Sequence, residues 1–199
     1  MAISQTPARS VVTTWTFEPG HTAAEFKARH MMVSWVRGHI KNIRGTLTFD
    51  PDRPAEARTE AEMDVADLWT GVKERDDHLK SADFFDAARF PKIHFKSTSV
   101  ERVGADLYRV HGDLTIRDVT RPVTLEVRYL GQWETPWSEG GVNLGPRTRA
   151  GFEATARIDR KDFGVSWNAS LDRGGLVVSD AIDLTIDVEA IKESQVSSG

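Results

Sequence analysis

The sequence predicts an all-β protein, an eight-stranded antiparallel up-and-down barrel with a short helical lid segment. Three observations lead there. Eight segments alternate apolar and polar residues with the period of two that pleating imposes. Mostly short turns join them. Only the segment 73–98, KERDDHLKSADFFDAARFPKIHFKST, breaks the β pattern. Strands that are apolar on one face bury it, and lose their edges, by closing into a ring. A β-sandwich would satisfy the same alternation. The inward positions Ala24, Ala28, Thr59, Ala61, Ala154 and Ala156 are small. A solid sandwich core calls for Leu, Ile and Val there, so these residues favour a hollow barrel able to hold one ligand; a tapering core filled by larger residues opposite stays open as the alternative.

Length and composition set the bounds. The 199 residues suit a single domain over 11–193, with 1–10 and 194–199 reading as flexible ends. Hydrophobic residues make up 39% and charged residues 28%, which describes an ordinary globular chain rather than a disordered one. A net charge of −4, with the signs interspersed, gives no attraction to nucleic acid or to an anionic membrane. Cysteine is absent, which excludes disulfides, thiolate metal sites and a cysteine nucleophile. No apolar run approaches a membrane span, and the N-terminus lacks the basic–apolar–small pattern of a leader. A cytoplasmic location is the resulting expectation.

Taken in order, residues 22–30 form the first strand, with Thr22, Ala24, Phe26, Ala28 and His30 on one face. Residues 31–36 are short and apolar and read as one helical turn over an open end. Residues 37–50 are extended again, with Gly38 and Gly45 as bends or bulges. Residues 57–65 alternate most clearly, Ala57, Thr59, Ala61, Met63 and Val65 facing one way. After the lid, 93–103 and 106–116 form a hairpin around Gly104. Arg117 and Asp118 turn the chain into 119–133. Residues 135–147, rich in Gly, Pro, Trp and Ser, read as a long loop before the strand 148–158. Residues 159–172 are irregular, and 178–191 is the last strand, with Ile182, Leu184, Ile186 and Val188 inward.

Within the lid, Arg75, Asp76, Asp77, His78, Lys80 and Asp83 crowd a polar run that yields to Phe84, Phe85 and Phe90. Pro91 ends it, because its locked φ and missing N–H return the chain to an extended path. The six histidines show no tight metal-ligand spacing, although His30, His78 and His94 could converge in space. No nucleophile elbow, P-loop or dinucleotide fingerprint occurs. Asp76 or Asp77 beside His78 could form an acid–base pair, which keeps an enzyme acting on an amphiphile as the alternative. No metal or cofactor is expected.

The ordered motifs HTAAEFKARHMMVSWVRG, RDDHLKSADFFDAARFPKIHFKST, GDLTIRDVTRPVTL and IDRKDFGV resemble the YceI-like family from about Trp15 to about Ile191. Arg75, Asp76, His78, Leu79, Ser81, Asp83, Phe84 and Phe85 carry the most specific part of the match. The resemblance implies a lipocalin-like barrel that binds polyisoprenoid or related amphiphilic lipids, without catalysis, in members found both exported and in the cytoplasm. It also makes a homodimer plausible, as does the Trp-rich stretch from Trp133 to Trp137. Asp118 stands where the family commonly has Gly, and Trp35 where a polar or small residue is expected, narrowing the mouth.

A lipid carrier needs an apolar channel, a gate and a polar mouth. Phe26, Ala28, Ile43, Leu47, Met63, Leu79, Phe95, Leu114, Leu125 and Phe152 are the expected lining. Phe84, Phe85, Phe163 and Trp167 are the expected gate, and Arg75, His78 and His30 the head-group contacts. Each could equally be plain core or, for Arg75 and Asp76, a network that pins the lid. Burying about twenty hydrocarbon carbons is worth roughly 16 kcal/mol. That approaches the ceiling of about 18–21 kcal/mol for any non-covalent complex. The tail can therefore supply affinity while the head-group residues need only select, and the sequence suits a pyrophosphate, a quinone or a fatty amide head alike.

Overall fold

Trp15 and Phe17 point inward from the first described strand, and the alternation recurs clearly over residues 92–97 and 107–116. The computed structural model describes residues 13–170 and 176–193. The expected flexible ends, 1–10 and 194–199, and the end of the irregular segment after residue 170 lie outside the described residues. The strands are β1 (Thr13–Phe17), β2 (Ala23–His30), β3 (Ser34–Ile40), β4 (Arg44–Phe49), β5 (Arg58–Asp64), β6 (Leu68–Trp69), β7 (Lys92–Arg102), β8 (Leu107–Ile116), β9 (Val119–Glu139), β10 (Val142–Asp159) and β11 (Val178–Lys192). One helix, α1 (Lys73–Lys80), interrupts them.

All pairings are antiparallel, and the sheet closes because β11 bonds both β2 and β1. The eleven strands make eight staves. β1 and β2 share one, bent at the Pro19–His21 turn, and β3 and β4 share another, broken where Asn42 takes a φ of 57°. β5 pairs with β4 and β7, after which the chain crosses to lay β6 against β3. β6 has β3 as its only strand partner among the described residues. The wall between β6 and β7 is thus not a ladder, and α1 with the coil that follows it occupies that opening. The lid sits where it does because the third stave divides.

Four expectations change. Residues 31–36 are not a helical turn: Met31 and Met32 are the centre of a tight hairpin turn, both at positive φ, and β3 begins at Ser34. The Val33 amide donates to the His30 carbonyl at 3.1 Å, which closes that turn. Local apolarity suggested helix, but the cross-strand ladder from β2 to β3 won. Residues 135–147 are not a loop: β9 and β10 run on as a two-stranded arm that turns at Gly140 and Gly141, both at positive φ. Gly38 and Gly45 are not bulges. A Cβ at Gly38 would lie 2.3 Å from the Phe26 ring, and one at Gly45 2.6 Å from the Phe17 ring, so both seat an aromatic against bare backbone. Trp35 does not narrow the mouth; it lies outside the barrel beneath Lys27 and Arg29. At the β8–β9 turn the positive φ falls on Arg117, so Asp118 meets no left-handed demand.

The interior packs as two clusters. The upper one joins Phe84, Phe163, Val165, Ile116 and Leu68 beneath the lid. In the lower one Phe49 meets Tyr108, Tyr129 and Phe152 at ring-centre distances of 5.6, 5.2 and 5.3 Å, stoppering the end of the barrel opposite α1.

Candidate functional site

Between the lid and the aromatic stopper lies a cavity of about 460 Å³, within the size range of small-molecule sites. Its wall is almost wholly apolar. The inward side chains Ile182, Leu184 and Ile186 of β11, and Phe26 of β2, are only half-buried although they point into the barrel, because they face open space. Small residues create that space: Ala24, Ala28, Thr59, Ala61, Ala154 and Ala156 all line it.

All the residues expected from the sequence fall on this cavity. Phe26, Ala28, Ile43, Leu47, Met63, Phe95, Leu114, Leu125 and Phe152 form the wall; Leu79, Phe84, Phe85, Phe163 and Trp167 line the lid end, together with His30, Arg75 and His78. Sequence reasoning left out Tyr108, Val110, Ile158, Val165 and Arg160, which also line it. The alternation on β8 and β10 could have supplied the first three. Arg160 carried no such signal, since an arginine at a strand end reads as solvated.

The lid is held by Thr70. Its backbone N–H and its hydroxyl both donate to Asp76 Oδ1, at 2.8 and 2.5 Å, while Arg75 Nε donates to the same hydroxyl at 2.7 Å and Arg75 Nη2 to the Thr70 carbonyl at 3.0 Å. Asp76 is buried by this arrangement. The guanidinium is thereby fixed at the cavity, and its Nη1 makes no hydrogen bond among the described residues. His78 Nε2 lies 3.0 Å from Asp83 Oδ2, and its ring meets Phe84 and Trp167 edge-on at 5.0 and 4.7 Å. The His30 side chain lines the mouth with no hydrogen-bond partner among the described residues.

The loop that carries Trp167 depends on Arg160. Its Nη1 donates to the carbonyls of Val165 and Trp167 at 2.7 and 2.8 Å, its Nε to the Ser179 carbonyl at 3.0 Å, and its Nη2 reaches Asp180 at 3.2 Å. Burial pushes the guanidinium below its ordinary pKa, and the Asp180 carboxylate opposes that shift. All of the Arg160 hydrogen bonds are thus made to protein groups.

The acid–base pairing expected for an enzyme is not assembled. Asp76 is taken by Thr70, Asp77 by Lys73 at 2.6 Å, and His78 turns to Asp83 instead. Nor do the three histidines converge: His94 stands on the outer face of β7, 3.6 Å from Glu62. Among the described residues, Glu18, His21 and Glu189 have ligating atoms within 4.8 Å of one another. They lie at the bend between β1 and β2, outside the cavity, and already pair with one another and with Arg149. No helix of the described residues is long and apolar enough to cross a membrane.

Comparison with known proteins accords with this architecture. A family model described as the YceI-like domain matches residues 15–190. Protein YceI of Escherichia coli O17:K52:H18 is 40% identical over 176 residues, spanning 88% of this chain and 84% of that protein. The crystal structure of the Campylobacter jejuni YCEI protein, 27% identical, aligns with a TM-score of 0.67 over 83% of this chain and 90% of its own. A polyisoprenoid-binding domain from Saccharophagus degradans, implicated in plant cell wall breakdown, shares the fold at 10% identity, with a TM-score of 0.60 over 92% of this chain and 100% of its own. On the family match and the 40% identity to protein YceI over 88% of this chain, the chain belongs to the YceI-like family.

Proposed function

We propose that the protein binds and carries a long-chain amphiphilic lipid, a polyisoprenoid, isoprenoid quinone or fatty amide, without catalysing a reaction. The apolar cavity carries this reading: a wall mostly of aliphatic and aromatic side chains offers little to a polar substrate but matches a hydrocarbon tail. The tail lies along β2, β10 and β11, and the head group stops at the lid, where Arg75 Nη1, His30 and His78 offer the polar contacts. The described fold and its likeness to the polyisoprenoid-binding domain from Saccharophagus degradans support it. Residues 11–193 act as one carrier domain in the cytoplasm. The arm that exposes Trp133, Val142 and Leu144 is the surface a second copy would cover in a homodimer, which light scattering tests.

Native mass spectrometry of the purified protein, with organic extraction of its contents, is the test. A reproducible long-chain adduct supports the proposal. A chain that stays empty, and that shows no rise in thermal midpoint with added prenyl or acyl compounds, overturns it.

A further inference from the structure

The hairpin between β2 and β3 presents its least polar residues to solvent. Met31 is 43%, Met32 41%, Val33 82% and Trp35 39% exposed. Met31 and Met32 both sit in the left-handed region, with φ of 47° and 59°. A turn that only reversed the chain in water would place Asn and Gly there, which adopt that conformation at little cost. Two methionines kept in a strained conformation and exposed point to a use for their side chains.

The backbone of this tip is already satisfied. The Val33 N–H donates to the His30 carbonyl at 3.1 Å, the Met31 N–H to the Val177 carbonyl at 2.8 Å, and Arg29 Nη2 to the Met32 carbonyl at 2.9 Å. Such a tip can leave water without stranding those polar groups. Behind it, Lys27 and Arg29 stand over the Trp35 ring at 4.6 and 4.9 Å, and Arg37 adjoins Lys27 across the strand pair. Lys27 lies 3.5 Å from Asp183 and Arg37 3.7 Å from Glu25, but Arg29 has no carboxylate partner among the described residues. An apolar tip, a tryptophan and a basic collar in that order match the layers of an anionic bilayer surface. The whole-chain charge of −4 conceals this local asymmetry. The tip also adjoins the mouth, because Arg29, His30 and Val177 line the cavity.

We propose that the β2–β3 tip is a membrane-docking finger that inserts Met31, Met32 and Val33 into an anionic bilayer and sets the cavity mouth against its surface. The inference rests on the lipid-carrier reading for its purpose, since a greasy cargo must pass between bilayer and cavity without crossing water.

The test is co-sedimentation with vesicles of phosphatidylglycerol and phosphatidylethanolamine, against neutral phosphatidylcholine. The chain should sediment with the anionic vesicles, and less so as salt is raised. The double substitution Met31→Asn with Met32→Gly suits the turn better, so the thermal midpoint should hold or rise, while vesicle partitioning falls by about tenfold or more. Arg29→Gln should weaken binding to anionic vesicles about fivefold and leave neutral ones unaffected. Failure of the unmodified chain to sediment, or equal sedimentation of the double variant, overturns the proposal. So does a tip-dependent self-association in light scattering with no vesicle binding. Binding of parinaric acid in vesicle-free solution separates the two readings. Parinaric binding without sedimentation overturns docking alone, and sedimentation without parinaric binding overturns the carrier while docking stands.

Discussion

Gly38 and Phe26 face each other across the β2–β3 pair, and the missing side chain of one makes room for the ring of the other. A Cβ at Gly38 would also meet Thr70 Cγ2 at 2.8 Å. Gly38→Ala should therefore drive the Phe26 ring into the lumen and cost about 1–3 kcal/mol. Thermal denaturation and parinaric binding check it: both should weaken, and adding Phe26→Leu should recover part of each. Arg160 sits at the other extreme of polarity. Its five donors serve four carbonyls and Asp180 from a buried position. Arg160→Ala should cost about 3 kcal/mol or more by stranding those acceptors. Arg160→Lys should recover little of it, since an ammonium cannot span them. Chemical denaturation measures both, and a variant as stable as the parent would contradict the assigned role. Neither residue's part could be taken from its neighbours in sequence, because each acts through groups brought in from other strands.

At the scale of elements, the lid is an eight-residue helix with little apolar surface of its own, so packing alone does not hold it. Thr70 and the ring contacts of His78 with Phe84 and Trp167 do. Thr70→Val removes the hydroxyl shared by Asp76 and Arg75 and leaves a buried carboxylate short of one donor. The loss should be about 1–3 kcal/mol, concentrated in the lid. Hydrogen exchange should accelerate through α1 more than through β8, and release of bound parinaric acid should quicken. Uniform exchange across both elements would show that the hydroxyl does not secure the lid. The sequence marked this segment as the exception to the β pattern from its charge and its phenylalanines. It did not show that β5 and β6 divide to open the wall there, since that depends on pairing with β3 and β7.

Over the whole molecule, the aromatic stopper links stability to pH. Burial raises the phenols of Tyr108 and Tyr129 above the usual 10.0. Their contribution is complete below about pH 10 and is lost as pH rises from there through the higher folded values, because the unfolded chain sheds its phenolic protons first. Denaturation midpoints between neutral pH and about 11 should fall more steeply for the parent than for Tyr108→Phe. Parallel slopes would place the phenol in water. The same stopper and the lid bound the interior at its two ends.

Alternation along the chain determined which face of the eight predicted strands turns inward, and the small residues on those faces favoured a hollow ring over a filled one. Both are local properties, set by pleat and side-chain volume. Tertiary structure alone decided the rest. Residues 31–36 and 135–147 have compositions that suit a helical turn and a loop, yet the first became a tight turn into β3 and the second a two-stranded arm, because partners already held in the ring offered hydrogen bonds that local preference could not match. Which rings lie flat on glycine, which arginine is buried, and which apolar tip stays in water beside the mouth are questions of closure. Closure is a sum of contacts between residues far apart in the chain, and no window along it contains them.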